Sequence, residues 1–585
     1  EAMVEWLCYE VLPEGNGRTN NLNDALWKTR PLSSHSTYLE WAQFRFGSPL
    51  AAYLHRHIAG EFGYNLGFQS DKVATVLWNS SLPVVDPGTL LPDGKLFRDR
   101  GIYFYRSGWK SGATGNEILF SFYSGKFYGG HAQEDQNQFT LYAYGDRFAL
   151  DCGAVGAADG PKQSETHNLV LIDGAGQHNA GNSIGTDGRI TASLLSPFAD
   201  YVRGDAEPAY DTYSPFNAPG VPFPGSDWSW GYDGGNPVER ADRLVAVVKG
   251  PAAPPYVLIA DDVAKDSLSH TYDWLLHTDQ GNTIEMSSNP VVVQGGRSFL
   301  DLYFANPQPP ALSFSAAPYV HGGEDPETLR FVAQTQAAAP RFFVALVPRD
   351  SSLVPPLYQA TPAGSATKLL LDWGAVQDHA LFNPERTFLA DVLATDGVLA
   401  VVRLEGPSTS RWLLAEGNSL SYNKTPLLML FGGTGSGALS NGVVHLSRDD
   451  LAFLAYAPGV QQVEGPQGPI SFVVSGDYVM SPPTAVGRAQ PPGPVAALWP
   501  AAPNPFNPGT LIRFELREPG FVSLRIYDVG GRVVQTLVEE PLSGGPFRVH
   551  WDGTDALGHP QASGVYFVEL RAGSERHARK IILAR

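Results

Sequence analysis

The chain has 585 residues, a net charge of -18 at pH 7, and 43% hydrophobic and 11% aromatic residues. That length predicts about two to four domains with sizeable cores. The acidity supplies no basic stripe for a phosphate backbone, so nucleic acid is excluded as a partner, and no apolar run reaches the length of a membrane span.

The 62 Gly and 47 Pro make about 19% of the chain, against a usual share of roughly 12%, and argue for many turns between short strands. Cys8 and Cys152 are the two cysteines. They build no disulfide framework, and whether they pair is open. The chain begins at Glu1 in what reads as mid-helix, without an initiator Met or signal peptide. It is therefore read as lacking its natural N-terminus.

Residues 1 to about 80 have helical character. Met3, Val4, Trp6 and Leu7 recur at helical spacing, and the segment Pro13–Gly17 breaks the pattern. Ser36 to Phe62 predicts one or two amphipathic helices through Leu39, Trp41, Phe44, Leu50, Tyr53, Leu54 and Ile58. Asp71 to Trp78 predicts one more. So few helices cannot bury a core alone, and they must pack on the next domain or on a part of the protein upstream of Glu1.

From about residue 98 the period becomes two. Strands are expected at Gly101–Arg106, Glu117–Tyr123, Phe139–Tyr144, Thr191–Leu194, Arg243–Val248, Tyr256–Ala260, His270–Leu276, Ser298–Phe304 and Phe342–Val347. Further strands are expected at Lys368–Trp373, Thr387–Ala394, Gly397–Arg403, Arg411–Glu416, Gly442–Leu446 and Leu451–Ala455. This is a large antiparallel multi-sheet β-sandwich. Tyr210 to Gly235 reads as a long loop. Arg488 to Pro494 is a linker by composition, and about ninety residues beyond it alternate as a small immunoglobulin-like β-sandwich.

Potential chemistry concentrates between Gly129 and Gln177. His131, Gln133 and Asp135 alternate ahead of the strand Phe139–Tyr144. The chain turns at Gly145-Asp146, returns to Asp151, crosses a Gly-rich loop, and reaches Thr166-His167-Asn168 before the strand Leu169–Ile172. Alternate side chains on a strand share a face, and a His/Asp/His set with a further oxygen suits zinc or another divalent ion. A hydrogen-bonded polar cluster at a sandwich edge fits the same residues, and spacing alone leaves both open.

The string HAQEDQNQFTLYAYGDRFALDCG, with THNLVLIDGAGQ after it, resembles the signature of heparinase II/III-type polysaccharide lyases. The segments Phe97–Arg106, Arg240–Val263 and Tyr272–His277 are similar to that family too. The resemblance implies the last part of an (α/α) toroid at 1–97 and the family's β-sandwich at 98–487. It implies a polysaccharide lyase cleaving a uronic-acid-containing, acidic polysaccharide (a glycosaminoglycan or alginate-like chain) by β-elimination. By the same resemblance His131 acts in acid/base chemistry or neutralises the substrate carboxylate, and Asp151 and His167 match two ligands of a structural zinc. Gln133 stands where the family has a third ligand, a histidine. An amide is a poor zinc ligand beside imidazole, so zinc is weakened, replaced by another divalent cation such as calcium, or lost. Asp135 is expected to be a hydrogen bonder and not a catalyst, and Thr166 and Asn168 to orient the loop. The family's catalytic tyrosine and its Asn or His are expected upstream of Glu1, with Tyr9 a core residue. His35, His55 and His57 receive no role.

The C-terminal stretches NPFNPGTLIRFEL, VSLRIYDVGGRVVQTL and WDGTDALGHPQASGVYFVEL resemble the FlgD-type, sorting-domain-like immunoglobulin fold of bacterial secreted proteins. That places a linker at 488–498 and the module at 499–585. It implies a secreted, periplasmic or cell-surface location, with secretion machinery or a surface attachment as partner. A non-catalytic glycan-binding or surface structural protein with a degenerate metal site is the rival expectation.

Overall fold

The shift of period near residue 98 marks the point where helices give way to stacked antiparallel sheets. The computed structural model describes residues 2–11, 18–20, 29–31, 36–62, 82, 85–109, 116–125, 133–151, 164–177, 188–210, 237–250, 253–308, 311–319 and 328–481 except 390, 407 and 432. In the C-terminal part it describes 496–498, 501, 504–516, 520–528, 532–542, 545–572 and 575–584. The expected helix at Asp71–Trp78, His131, Cys152 and nearly all of the loop after Tyr210 lie outside these residues. The chain divides into two units, one mainly of residues 1–387 and one mainly of residues 442–585.

In the first unit, helix α1 (Ala2–Glu10) buries Val4, Leu7, Cys8 and Tyr9. The apolar pattern of residues 36–62 resolves into two helices, α2 (Ser36–Phe46) and α3 (Pro49–Phe62). Gly47 ends α2 with φ +60°, a left-handed conformation that glycine adopts cheaply. Ser48 Oγ then accepts from the Ala51 amide at 3.3 Å and Pro49 opens the new helix, the usual start signals.

These helices cover a five-stranded meander of β1 (Gly94–Phe97), β2 (Ile102–Arg106), β3 (Ile118–Tyr123), β4 (Gln138–Ala143) and β5 (Asp146–Ala149). Leu7, Tyr9, Leu39, Ala42 and Leu54 pack with Ile102, Phe104, Leu119, Tyr142 and Leu150. Arg106 is buried and donates to the carbonyls of Cys8, Tyr9 and Val11. A guanidinium thus satisfies carbonyls that the end of α1 leaves open, and Glu117 at 3.2 Å balances its charge. The turn between β4 and β5 is Tyr144-Gly145, both at positive φ, with Ala143 facing Asp146. It therefore sits one residue earlier than the sequence suggests, as a two-residue hairpin of left-handed residues.

Beyond the meander, β6 (Val170–Ile172) pairs with β11 (His270–Asp279), whose other neighbour is β16 (Thr328–Ala337), with β15 (Ser313–Tyr319) at the edge. An eight-stranded sheet contains β7 (Arg189–Leu194), β8 (Ala199–Asp205), β9 (Arg240–Val248), β10 (Tyr256–Ala264), β12 (Thr283–Glu285), β13 (Val291–Gln294), β14 (Ser298–Asn306) and β17 (Arg341–Asp350). Its central strands bury both faces. Ala241, Val245 and Val247 enter the core shared with the meander, while Leu244, Ala246 and Val248 enter a second core with Leu369, Val401 and Leu413. Burial on both sides explains the near-continuous apolar runs, which hide the alternation in the sequence.

In the second unit, the residues after the linker form a three-stranded sheet (Ala496–Leu498, Thr510–Leu516, Gly545–Trp551) and a four-stranded sheet (Gly520–Tyr527, Val533–Leu542, Gly564–Ala572, Glu575–Leu583). Phe514, Ile526, Trp551, Val568 and Leu570 share one core, the two-sheet sandwich expected for an immunoglobulin-like module. The strand expected over Thr387–Ala394 is not formed there. Among the described residues there, only Leu393–Thr395 is a strand, with an isolated bridge between Leu389 and Thr395, and Phe388 and Val392 are exposed.

Candidate functional site

The segment before β4, the end of β5 and the turn before β6 meet at one place, and all carry buried polar groups. Gln133, Asp135, Asp151 and His167 are each at most 2% exposed. His167 Nδ1 lies 3.1 Å from Asp151 Oδ1, and Gln138 Nε2 donates to Asp151 Oδ2 at 2.9 Å. With the Asp151 carboxylate accepting at Nδ1, the neutral imidazole is assigned its proton there and its lone pair on Nε2. That Nε2 is buried and has no hydrogen-bond partner among the described residues. Buried polar nitrogens are rarely left so.

Burial opposes protonation of His167, but the Asp151 hydrogen bond and the charges of Asp151, Asp135 and Glu134 outweigh it and raise its pKa. Burial pushes Asp135 up to about 8, with His167 opposing the rise and Asp151 adding to it.

Asn168 is the node of the site. Its Nδ2 donates to the carbonyls of Phe139 and Leu150, both at 2.8 Å, and its Oδ1 accepts the His277 amide at 2.6 Å. Three chain segments are thus fixed by one carboxamide. Ser164 donates to the Glu134 carboxylate from both amide and hydroxyl, at 3.0 and 3.1 Å. Gln136 and Gln177 exchange backbone and side-chain bonds at 2.9 and 2.7 Å. Tyr9 packs against Phe97, Phe104 and Trp109 and donates to the Pro92 carbonyl, a core role as the sequence suggests.

Sequence reasoning finds Asp151 with His167 and misses Gln138, Glu134, Arg243 and Asp261. Arg243 and Asp261 carry a detectable signal: each is a charge within a strand at the border of its apolar run, LVAVV and YVLIA. Gln138 carries none.

Beyond β6, His270 lies between Asp173 at 2.7 Å and Asp266 at 2.9 Å, with Lys265 also on Asp173 at 3.7 Å. Hydrogen bonds to Asp266 and Asp173 raise its pKa above the ordinary histidine value. The stabilising contact is therefore complete below the ordinary value and is lost as pH rises through the higher folded one. A histidine NMR titration should place His270 high, and Asp266→Asn should bring it down. An unchanged pKa in that variant would contradict the arrangement.

As for a metal, no group of three His, Cys, Asp or Glu side chains among the described residues is placed to hold an ion. His167 Nε2 fits one ligand position. Both Asp151 oxygens are already engaged, one by His167 and one by Gln138. No helix among the described residues is long and apolar enough to cross a membrane.

Among known families, the heparinase II/III-like C-terminal model matches residues 89–334, and the FlgD Ig-like domain model matches residues 506–575. No curated protein matches the chain. Among solved structures, the heparinase III-BT4657 gene product aligns at 13% identity and TM-score 0.44, over 69% of this chain and 51% of its own. Heparan sulfate lyase HepC from Pedobacter heparinus aligns at 14% identity and TM-score 0.43, over 63% and 50%. A further heparinase III structure aligns at 12% identity and TM-score 0.44, over 65% and 53%. The chain thus spans about half the length of these structures. It carries a heparinase II/III-like C-terminal domain and, after it, an FlgD Ig-like domain.

Proposed function

We propose that the chain is the β-sandwich part of an exported polysaccharide lyase acting by β-elimination on a uronic-acid-containing polysaccharide. The observation that carries this reading is the buried Asp151–His167 pair, with Nε2 unpartnered among the described residues, inside the segment that matches the heparinase II/III-like domain. In β-elimination a base takes the C5 proton beside the uronate carboxylate, and the O4 leaving group departs with a proton. Charge builds next to an existing carboxylate, so the site must neutralise it with preorganised donors and hold base and acid within hydrogen-bond reach. His131 fills the neutralising or acid/base role in this reading. The buried pairs of the described site hold the segment from Gln133 to Gln138 in place.

In this reading a structural divalent ion would be held by His167 Nε2 and the Gln133 carboxamide oxygen, with Asp151 orienting His167 through Nδ1. Bound there, it would supply fixed positive charge. Asp151 then serves better as the orienting carboxylate than as a ligand, since both its oxygens are taken. The FlgD Ig-like module suits export and attachment to a bacterial surface through secretion machinery.

Full-length protein incubated with glycosaminoglycans, alginate and other polyuronates is expected to generate ultraviolet absorbance from an unsaturated uronate on at least one of them. His131→Ala should remove that gain. Elemental analysis should find a divalent ion in the wild type that His167→Ala loses; wild-type protein without any ion ends the metal assignment. The presence of Gln133 where an imidazole is expected favours a second reading, a non-catalytic glycan-binding protein. Tight binding to one polyuronate with no absorbance gain on any would select it.

A further inference from the structure

We propose that Arg243 is a positioning residue for this site, setting the distance between the segment that ends at Gln138 and the turn that carries His167. Arg243 stands in β9 on the face that enters the shared core, beside Ala241 and Val245, and is 1% exposed. Its Nε and NH2 form a fork on Asp261 of β10 at 2.6 and 3.1 Å. Asp261 is the residue directly opposite it in the ladder. Trp274 Nε1 donates to the same carboxylate at 3.1 Å, so the carboxylate is locked from two strands. What remains of the guanidinium, NH1, donates to the carbonyl of Asn137 at 2.7 Å and to that of Asn168 at 2.6 Å.

Those two carbonyls belong to different segments of the site. Asn137 directly precedes Gln138, the partner of Asp151, and its left-handed backbone (φ 64°) is held by bonds from its carboxamide to the Gly204 and Ala241 carbonyls. Asn168 directly follows His167. A single planar cation therefore joins the two backbone segments whose side chains, Gln138 and His167, converge on Asp151. The guanidinium also lies over the Phe139 ring, 5.4 Å from its centroid. A lysine supplies the same charge but not the fork plus two directed bonds. A fork locked by Asp261 and Trp274 is costly to reorient, which suits it to hold a spacing and not merely to fill a core.

This role rests on the lyase reading for its kinetic consequence and on geometry for the rest. Arg243→Lys and the isosteric Asp261→Asn are compared with Arg349→Lys, which weakens a similar fork, Arg349 on Asp301 at 2.7 Å, that bonds to neither site segment. In folded protein, the first two should lower kcat by roughly 10- to 100-fold with KM little changed, the scale of a sub-ångström misplacement. The control should leave kcat as it is. In protein labelled with 15N-histidine, the His167 ring signals should move in Arg243→Lys and stay in Arg349→Lys.

Unmoved His167 signals, an activity loss that merely follows the folded fraction, or unfolding of both site variants would each overturn the positioning role. If the wild type releases no unsaturated uronate, the lyase reading falls. The positioning role is then decided by the ring signals alone.

Discussion

Asn168→Ala is expected to be among the most destabilising single substitutions in the first unit, at roughly 3–6 kcal/mol. The substitution leaves the Phe139 and Leu150 carbonyls and the His277 amide without their partner. Each buried group so stranded costs about 1–3 kcal/mol. Asn168 is fully buried, which hinders water from replacing the carboxamide. Asn168→Asp separates the terms. It keeps an acceptor for the His277 amide but faces two carbonyls with a carboxylate, so it should be no better than alanine. Urea unfolding followed through the buried Trp274 measures both. A loss below about 1 kcal/mol for Asn168→Ala would mean that the three segments hold together without it. Any uronate-cleaving activity should fall as well, because His167 is the neighbouring residue.

The two-residue period made much of this fold legible. β2, β3, β4, β11, β14 and β17 all fall where alternation or apolar runs place them. Other strands gave no such signal, for physical reasons. β15 is a largely exposed edge strand containing Pro318, so it needs neither apolar alternation nor a full ladder. The strand Gly435–Ser440 is wholly buried yet, apart from Leu439, built from glycine, serine and alanine. Leu451 and Leu428 approach so closely that a side chain at Gly435 or Gly437 would collide with them. Composition there reads as a turn, and only the packing reveals a strand.

The site divides the same way. Asp151 and His167 were found through a resemblance carried by short motifs, and the structure brings them into contact. Arg243 and Asp261 act from strands roughly a hundred residues further on, and no local pattern ties them to His167. Tertiary register alone does so.

The buried fork between Arg403 and Asp378 should show the cost of an uncompensated charge more plainly than any other pair. Both side chains are fully buried, joined by two bonds of 2.7 Å, and Arg403 also donates to the Lys249 carbonyl at 2.8 Å. Asp378 accepts the Tyr256 hydroxyl at 2.9 Å as well, and burial first, then the Asp378 charge, holds Tyr256 well above the usual phenol pKa. Asp378→Ala is expected to cost about 3–5 kcal/mol, since it strands a guanidinium that cannot lose its proton. Removing both charges with Asp378→Leu and Arg403→Met should restore most of that loss, because an apolar pair avoids the desolvation of two ions. Full restoration is not expected, since the Lys249 carbonyl and Tyr256 hydroxyl lose their partners. Thermal melts of the single and double variants measure the difference. A double variant no more stable than Asp378→Ala would show that the hydrogen bonds, and not the charge balance, hold this part of the stack together.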